Sequence, residues 1–388
     1  MAESETLAMA RLSRELKATG KDVVNLSLGE PDFDTPGFIK EAAKKAIDDN
    51  FSHYTPVGGY DDLLEAISEK FSRDNGLQYG KSQIVASTGA KQSISNVVLA
   101  VVDDGDEVII PAPYWVSYRE IIKLAGGTPV VIEAGISQDF KVTAEQVRAA
   151  ITPRTKMFLF SSPCNPTGSV YSYDELKSLA EVFAQHPGIL IVADEIYELI
   201  NFEGKHTSIG TFEEVKDRVV TINGLSKGFA MTGWRLGYLG APESVAKACI
   251  KMQGQFTSAT CSITQRAAIT ALKADPAEMS YMQLAFRRRR DLAYTLLKDI
   301  EGLKVNYPTG AFYFFPDVSH YLGRKHGANM IAGTEALCMY LLNEAYVALV
   351  PGSAFGFPDC IRISYSTSEE EIVKGIGRLK EALYKLEM

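Results

Sequence analysis

A lysine among small residues is the most chemically suggestive feature of the sequence. Lys227 lies in the segment Gly224–Phe229, directly after an apolar run. Most lysines are solvated, but one in a loop at the end of a strand can reach an enclosed site. Enclosure lowers the pKa of an ammonium group because burial disfavours its charge, and the neutral amine is a nucleophile. Surface turns have a similar composition, so a solvated Lys227 stays open as the alternative.

Polar side chains also follow two other apolar runs. Asp194 ends one of them, and Tyr197 comes three residues later. Such an aspartate either caps a turn or pairs with a cationic ligand atom, and the tyrosine is either a core residue or a hydrogen-bond donor to the ligand. Asn165 lies between Pro163 and Pro166. These prolines predict a rigid turn, with cis bonds as one option, that fixes the Asn165 amide at a strand end.

A phosphate site is suggested by small residues that open a predicted helix. Residues 88–92 precede the apolar segment 94–102. A helix start leaves free N–H groups and a positive dipole end, and both favour a phosphate. Arg235 lies eight residues after Lys227, and Arg362 begins a strand-like segment. Arginine binds phosphates and carboxylates in a bidentate manner, although each of these signals is weak alone.

The arrangement of apolar runs predicts the elements that must position these residues. Five β-branched runs read as buried strands, and helix-period segments lie between several of them. This alternation predicts an α/β layer around a mostly parallel sheet, where ligands bind at the carboxyl ends of strands. Near residue 280 a long charged helix at 278–300 and two short strands at 311–315 and 361–365 predict a smaller α+β lobe, and another short strand is predicted at 22–28. The five predicted strands are 106–110, 128–132, 156–160, 189–192 and 218–222.

Size, charge and cysteine content narrow the class of protein. The chain has 388 residues, more than one hydrophobic core usually supports, so two lobes are expected. Its net charge of -8 argues against nucleic-acid binding, and the basic run Arg287–Arg290 is interpreted as a largely solvated helix face. No apolar run approaches the length of a membrane span. Five scattered cysteines predict a cytoplasmic protein without disulfides or a metal site.

Taken together, the motifs resemble the class I/II aminotransferases, pyridoxal 5'-phosphate (PLP) enzymes of fold type I. The similarity covers nearly the whole chain in the family's order, and it is closest to prokaryotic-type aspartate aminotransferases. It implies a large α/β/α domain at 35–285 around a mostly parallel sheet, and a small α+β domain formed by 1–34 and 286–388. The matching motifs are GLSKGFAMTGWRLG (224–237), LSLGEPDFDTP (26–36), YTPVGGYDDL (54–63), PYWVSY (113–118), SPCNPTG (162–168), ADEIY (193–197), GAFYFF (310–315) and PGSAFG (351–356).

The resemblance also implies a role for each matching residue. Lys227 would form an imine with PLP and then carry the proton between the substrate Cα and the cofactor. Asp194 would pair with the pyridine nitrogen, while Tyr197 and Asn165 would hydrogen-bond the phenolic oxygen on the ring, called the ring oxygen below. The other implied roles are ring stacking by Trp115, phosphate binding by the Ala90 and Lys91 amides, Ser226 and Arg235, and binding of the substrate α-carboxylate by Arg362 with Asn165, Trp115 and the Gly29 backbone.

Two positions qualify this assignment of roles. By resemblance, Tyr54 would reach a phosphate in the neighbouring subunit, which implies a homodimer with shared active sites. Gly224 stands where many relatives carry a serine that touches the phosphate. Phosphate binding should therefore rest more on Ser226, Arg235 and the helix start.

The implied reaction is ping-pong transfer of an amino group, with aspartate and 2-oxoglutarate as the leading pair. The Lys91 side chain either binds the distal carboxylate of a dicarboxylic substrate or is solvated. Aromatic, alanine, methionine and prephenate substrates stay open, as does a PLP carbon–sulfur lyase, because fold does not fix function. A PLP-binding transcription regulator is disfavoured, since the family pattern begins near the first residues and leaves no room for a basic DNA-binding domain.

Overall fold

A central seven-stranded sheet between helices dominates the fold, which is given by a computed structural model that describes residues 5–387. The strands are β1 (Val24–Asn25), β2 (Ile84–Ser87), β3 (Glu107–Ala112), β4 (Thr128–Glu133), β5 (Thr155–Ser161), β6 (Leu190–Asp194), β7 (Val219–Gly224), β8 (Gly237–Gly240), β9 (Tyr313–Phe314), β10 (Lys325–His326), β11 (Asn329–Met330), β12 (Val347–Ala348), β13 (Val350–Pro351) and β14 (Ile361–Ser364). The α-helices are α1 (Glu5–Ala18), α2 (Gly37–Asp48), α3 (Asp61–Lys70), α4 (Ala90–Val101), α5 (Ser117–Leu124), α6 (Ala144–Ala150), α7 (Tyr173–Ala184), α8 (Glu243–Phe256), α9 (Ser262–Lys273), α10 (Ser280–Leu297), α11 (Thr334–Glu344) and α12 (Glu369–Tyr384).

The strands of the central sheet lie in the order β2-β8-β7-β6-β5-β3-β4. All neighbouring pairs are parallel except the two that involve β8, which runs antiparallel to both β2 and β7. The predicted mostly parallel α/β sheet is therefore confirmed, and each of the five predicted strands is present. Two strands of this sheet, β2 and β8, were not predicted; β8 has glycine at both ends, and glycine weakens a strand on propensity alone.

Alternating side chains of the strands enter two separate cores. Met157 and Leu159 of β5 pack on the face covered by α4, α5 and α8, while Phe158 and Phe160 pack on the face covered by α6 and α7. This period of two places buried apolar residues on both faces, which is why these strands read as continuous apolar runs. The result is an α/β/α sandwich whose strand ends are held rigidly.

Smaller sheets lie beside the sandwich. Three antiparallel strands pair in the order β13-β14-β9, β1 pairs in parallel with β12, and β10 pairs with β11. The predicted strands at 22–28 and 311–315 are shorter than expected, at two residues each. Residues 1–4, the first part of the predicted small domain, lie outside the described residues. Within residues 5–387, no helix is long and apolar enough to cross a membrane.

The interpretation of Arg287–Arg290 as a largely solvated face is wrong for half of the run. Arg290 is only 2% exposed, and its guanidinium lies 4.3 Å from the ring centroid of Tyr307 and 4.8 Å from that of Phe202. The Arg289 side chain forms an ion pair of 2.7 Å with Asp32. These two arginines cover aromatic surface of the core, because a guanidinium is weakly hydrated and stacks on rings.

Candidate active site

Loops from several strand ends surround one cavity of about 450 Å³. The carboxyl ends of β2, β3, β5, β6 and β7 all open into it, which is the position expected for a ligand in a parallel sheet. Its lining includes every predicted site residue except Tyr54, namely Gly29, Ala90, Lys91, Trp115, Asn165, Asp194, Tyr197, Ser226, Lys227, Arg235 and Arg362.

Lys227 lies half-buried in the turn after β7, and its Nζ donates a hydrogen bond to the carbonyl oxygen of Gly29. Burial, with a smaller contribution from the charge of Arg362, lowers the pKa of this ammonium group to about 8, and Glu30 acts in the opposite direction. At a pH equal to that pKa, half of the lysine is neutral. The structure thus places Lys227 at the cavity and not in a solvated surface turn, and its lowered pKa favours the neutral amine that a nucleophile requires.

Asp194 ends β6 as a buried carboxylate at the base of the cavity. The Tyr118 hydroxyl donates to its Oδ2 at 2.7 Å, and the Ile196 N–H donates to its Oδ1 at 3.3 Å. Burial raises the pKa of Asp194 to about 6 even though both hydrogen bonds lower it. A cationic partner would stabilise the ionised form of this buried carboxylate, so Asp194 suits a protonated ring nitrogen.

Asn165 and Arg362 meet on the side of the cavity formed by β14. The Arg362 Nη1 donates to the Asn165 Oδ1 at 3.0 Å, and its Nη2 donates to the carbonyl oxygen of Ser27 at 2.6 Å. The Arg362 Cζ lies 4.7 Å from the ring centroid of Tyr313. These contacts fix a buried guanidinium with donors left over for a carboxylate. Asn165 follows the Ser162–Pro163 bond, which is cis.

The opposite end of the cavity is built for an anion. Helix α4 begins at Ala90, and its first backbone bond runs from the Gln92 N–H to the Gly89 carbonyl, so the N–H groups of residues 90 and 91 precede it. Gly89 has a φ of +90°, and a Cβ there would collide with the Arg235 guanidinium. Arg235 is held by a bond of 2.8 Å from its Nη1 to the carbonyl oxygen of Thr232. Ser226 completes the lining.

The structure gives a reason for Gly224. A Cβ at this position would lie 2.9 Å from the Cα of Gly237 and 3.0 Å from the carbonyl oxygen of Leu236, both at the start of β8. Any side chain would therefore push β7 and β8 apart. A serine does not fit against this strand pairing, so the anion-binding end depends on Ser226, Arg235 and the start of α4.

Lys91 lines the cavity of its own chain, whereas Tyr54 does not. The Lys91 Nζ lies 4.9 Å from the ring centroid of Trp115, and burial followed by the charge of Arg235 lowers its pKa. This side chain lies beside Trp115 in the lining of the cavity and is still exposed to solvent, so binding of a distal carboxylate and a solvated side chain both stay open. Tyr54 is 98% exposed and contributes nothing to the cavity of its own chain.

Comparison with known proteins decides the family. Residues 21–379 match the family described as aminotransferase class I and II. The chain belongs to the class I and II aminotransferases. It is 46% identical over 380 residues to an aspartate/prephenate aminotransferase of Cereibacter sphaeroides, covering 97% of this chain and 95% of that one. Two solved structures are also similar.

The first of these is an aspartate aminotransferase from Rhizobium meliloti. It superposes with a TM-score of 0.95 at 42% identity, covering 100% of this chain and 97% of the other. The second is an aspartate aminotransferase from Thermus thermophilus with maleate, with a TM-score of 0.93 at 40% identity, covering 98% of this chain and 97% of the other. The fold predicted from the sequence is that of these relatives.

The cofactor of this aminotransferase is pyridoxal 5'-phosphate, and the cavity fits it. A helix start with Arg235 suits the phosphate, the buried Asp194 suits the ring nitrogen, and Lys227 is an amine of lowered pKa suited to an aldehyde. Sequence reasoning missed Tyr118 as the partner of Asp194 and Tyr313 as the partner of Tyr197. Both lie within matched motifs, PYWVSY and GAFYFF, and this was the only signal that could have pointed to them.

Proposed function

We propose that this aminotransferase moves the amino group of L-aspartate to 2-oxoglutarate in a ping-pong reaction. The observation that carries the proposal is the number of cationic side chains that line the cavity. Arg235 and Arg362 account for a phosphate and an α-carboxylate, and two further cationic side chains, Lys91 and Arg14 of α1, line the same cavity. A second carboxylate on the substrate gives these two residues a partner.

The cofactor would be held by residues that the cavity brings together. PLP, when bound, supplies an aldehyde that takes the amino group and a ring that withdraws electrons from Cα. Asp194 would keep a proton on the ring nitrogen because its buried carboxylate gains from a cationic partner. Trp115 would stack on the ring. Tyr197 and Asn165 would hydrogen-bond the phenolic oxygen that the ring carries.

Lys227 and Arg362 act on the substrate. Once its Nζ is free and neutral, Lys227 takes the proton from the substrate Cα and returns it on the cofactor side, for which a pKa of about 8 is well suited. Arg362 binds the α-carboxylate through donors that Asn165 and Ser27 leave unused. Binding at this point fixes which bond at Cα faces the lysine.

The names of the relatives support a dicarboxylic substrate. Two similar solved structures are aspartate aminotransferases, one of them with maleate, which is a dicarboxylate. The relative from Cereibacter sphaeroides is named for aspartate and prephenate. Prephenate also carries a second carboxylate, so it is the second candidate substrate for the same pair of cations.

A panel of amino donors with 2-oxoglutarate tests the proposal. Aspartate should give the highest kcat/KM, ahead of alanine, methionine and phenylalanine, and prephenate should serve as an acceptor when glutamate is the donor. The variant Arg14→Gln should raise the KM for aspartate by up to about fivefold, as expected for one exposed charged contact. The control Arg11→Gln, whose arginine pairs with Glu15 at 3.0 Å outside the cavity, should leave KM unchanged.

Two results would contradict the proposal. Release of ammonia and pyruvate without an oxo-acid acceptor would indicate the carbon–sulfur lyase class instead. A higher kcat/KM for a monocarboxylic donor than for aspartate would indicate that Lys91 and Arg14 do not bind a second carboxylate.

The quaternary structure and the compartment are part of the proposal. Tyr54 is 98% exposed, as a residue would be that completes the phosphate site of a partner subunit in a homodimer. Sedimentation should give the mass of a dimer. Tyr54→Phe should weaken PLP binding, and the variant should still sediment as a dimer. A monomer with full activity would contradict shared sites. No disulfide joins the cysteines within residues 5–387, which suits a reducing compartment such as the cytoplasm.

The two-domain division belongs to the same proposal. A large domain at 35–285 and a small domain of 1–34 with 286–388 are supported by the separate sheet of β13, β14 and β9. The boundary at 285/286 falls inside α10, which continues across it without a break. Limited proteolysis should therefore cut elsewhere than in this helix.

A further inference from the structure

A buried pair of tyrosines connects the two sides of the cavity. Tyr313 of β9 has no exposed surface, and its Oη lies 2.7 Å from the Oη of Tyr197. Only one of the two hydroxyl protons can occupy this hydrogen bond. The other proton is free to be donated elsewhere, and only the Tyr197 side of the pair lines the cavity.

The surroundings of Tyr313 hold its hydroxyl in place. A Cβ on Gly29 would lie 2.8 Å from the Tyr313 Oη, so a glycine is needed where this hydroxyl sits. Arg362 stacks on the ring of Tyr313, with its Cζ 4.7 Å from the centroid. The hydroxyl is therefore fixed between the lysine-contacting segment at Gly29 and the carboxylate-binding arginine.

We propose that Tyr313 is a positioning residue that donates its proton to Tyr197 and so directs the Tyr197 proton to the ring oxygen of the bound cofactor. This rests on the proposed role of Tyr197. A hydroxyl that accepts one hydrogen bond is polarised into a stronger donor, and the effect is larger in a buried, low-dielectric site. Tyr313 thereby strengthens the bond that Tyr197 makes without touching the cofactor itself.

Several charged or titratable groups face Tyr197, and a test of Tyr313 must leave the other groups unchanged. They are Asp194, Arg362, Lys227 and Tyr313 itself. Tyr313→Phe keeps the ring on which Arg362 stacks and removes only the hydroxyl. Tyr365→Phe is a matched control, because Tyr365 is also buried and its hydroxyl bonds the carbonyl oxygen of Ala311 at 3.1 Å, outside the cavity lining.

The test is a pH titration of the visible absorbance of the substrate-free holoenzyme. A donor to the ring oxygen stabilises its ionised form, so Tyr197→Phe should move the titration to higher pH. Tyr313→Phe should move it in the same direction by roughly half a pH unit, less than Tyr197→Phe does. Its kcat should fall about threefold to tenfold with KM within about twofold, since Arg362 keeps its stacking partner. Tyr365→Phe should leave the titration unchanged.

The outcomes separate the two proposals. No shift in Tyr313→Phe beside a clear shift in Tyr197→Phe would overturn the role of Tyr313 alone. No shift in Tyr197→Phe would overturn the role of Tyr197 and, with it, that of Tyr313. If Tyr313→Phe is poorly folded, Tyr313→Met, which also lacks the hydroxyl, takes its place with the same expected shift. The double variant is a second test of the same role. In the Tyr197→Phe background, loss of the Tyr313 hydroxyl should add no further shift, and an added shift would contradict an action through Tyr197.

Discussion

Replacing Arg362 with leucine tests how the site recognises its substrate. The guanidinium is 2% exposed, with Nη1 bonded to Asn165 and Nη2 bonded to the carbonyl oxygen of Ser27. Each Nη carries two protons, so one proton on each nitrogen stays available for a carboxylate. Two hydrogen bonds to a charged group, at about 1.5 to 3 kcal/mol each, correspond to roughly 3 to 6 kcal/mol in total.

That free energy sets the expected kinetic effect. Since about 1.4 kcal/mol is a factor of ten, kcat/KM should fall by about a hundredfold to about twenty-thousandfold. The loss should appear mainly as a raised KM for both the amino donor and the oxo acid, because both carry the α-carboxylate. Steady-state kinetics on each half-reaction measures it, and the absorbance of bound PLP checks that the cofactor site is intact.

The variant Arg362→Lys sharpens the same prediction. Lysine keeps the charge but not the paired donors of a guanidinium, so its defect should lie between those of the wild type and the leucine variant. Unchanged KM values for both substrates in Arg362→Leu would refute the reasoning. So would a defect confined to PLP content.

Three further predictions concern other residues of the cavity. Lys227→Ala should lose turnover by several orders of magnitude while still binding PLP, measured by absorbance and single-turnover assays; near-normal kcat would contradict its role. Asp194→Asn should stabilise the cofactor-free protein at pH 8, by up to about 3 kcal/mol, but not at pH 4. The folded-state pKa of Asp194 is raised to about 6, so the stability that its protonated form gives is lost as the pH rises through 6, whereas asparagine stays neutral. Thermal unfolding at the two pH values measures this, and equal melting temperatures for both proteins at pH 8 would count against it. Lys91→Met should raise the KM for aspartate about tenfold and that for alanine far less, whereas equal changes would indicate a solvated side chain or a purely structural one.

Local patterns predicted five of the seven strands of the main sheet and brought most of the site residues together. Residues 157–160 are all apolar and alternate between the two faces of the sheet, and they lie in the interior strand β5, Thr155–Ser161. Lys227, Asp194 and Asn165 were placed together because each follows a strand whose carboxyl end lies at one edge of the sheet. Matched motifs then supplied roles that the pattern alone left open.

Features set by distant contacts were not predictable in this way. Tyr118 bonds Asp194 across 76 residues of sequence, and Tyr313 bonds Tyr197 across 116. Strand β8 has glycine at both ends, and glycine is required at position 237 because its close packing against the start of α4 admits no side chain. Arg290 looked solvated because its aromatic neighbours come from other segments.

Borohydride reduction of the holoprotein, followed by peptide mapping, tests the central claim most directly. The cavity predicts that the cofactor becomes fixed to a single lysine, Lys227, since this amine has a pKa lowered to about 8 in the same cavity as Asp194. Labelling should disappear in Lys227→Ala. A label on Lys91 or on another lysine, or no label at all, would contradict the account.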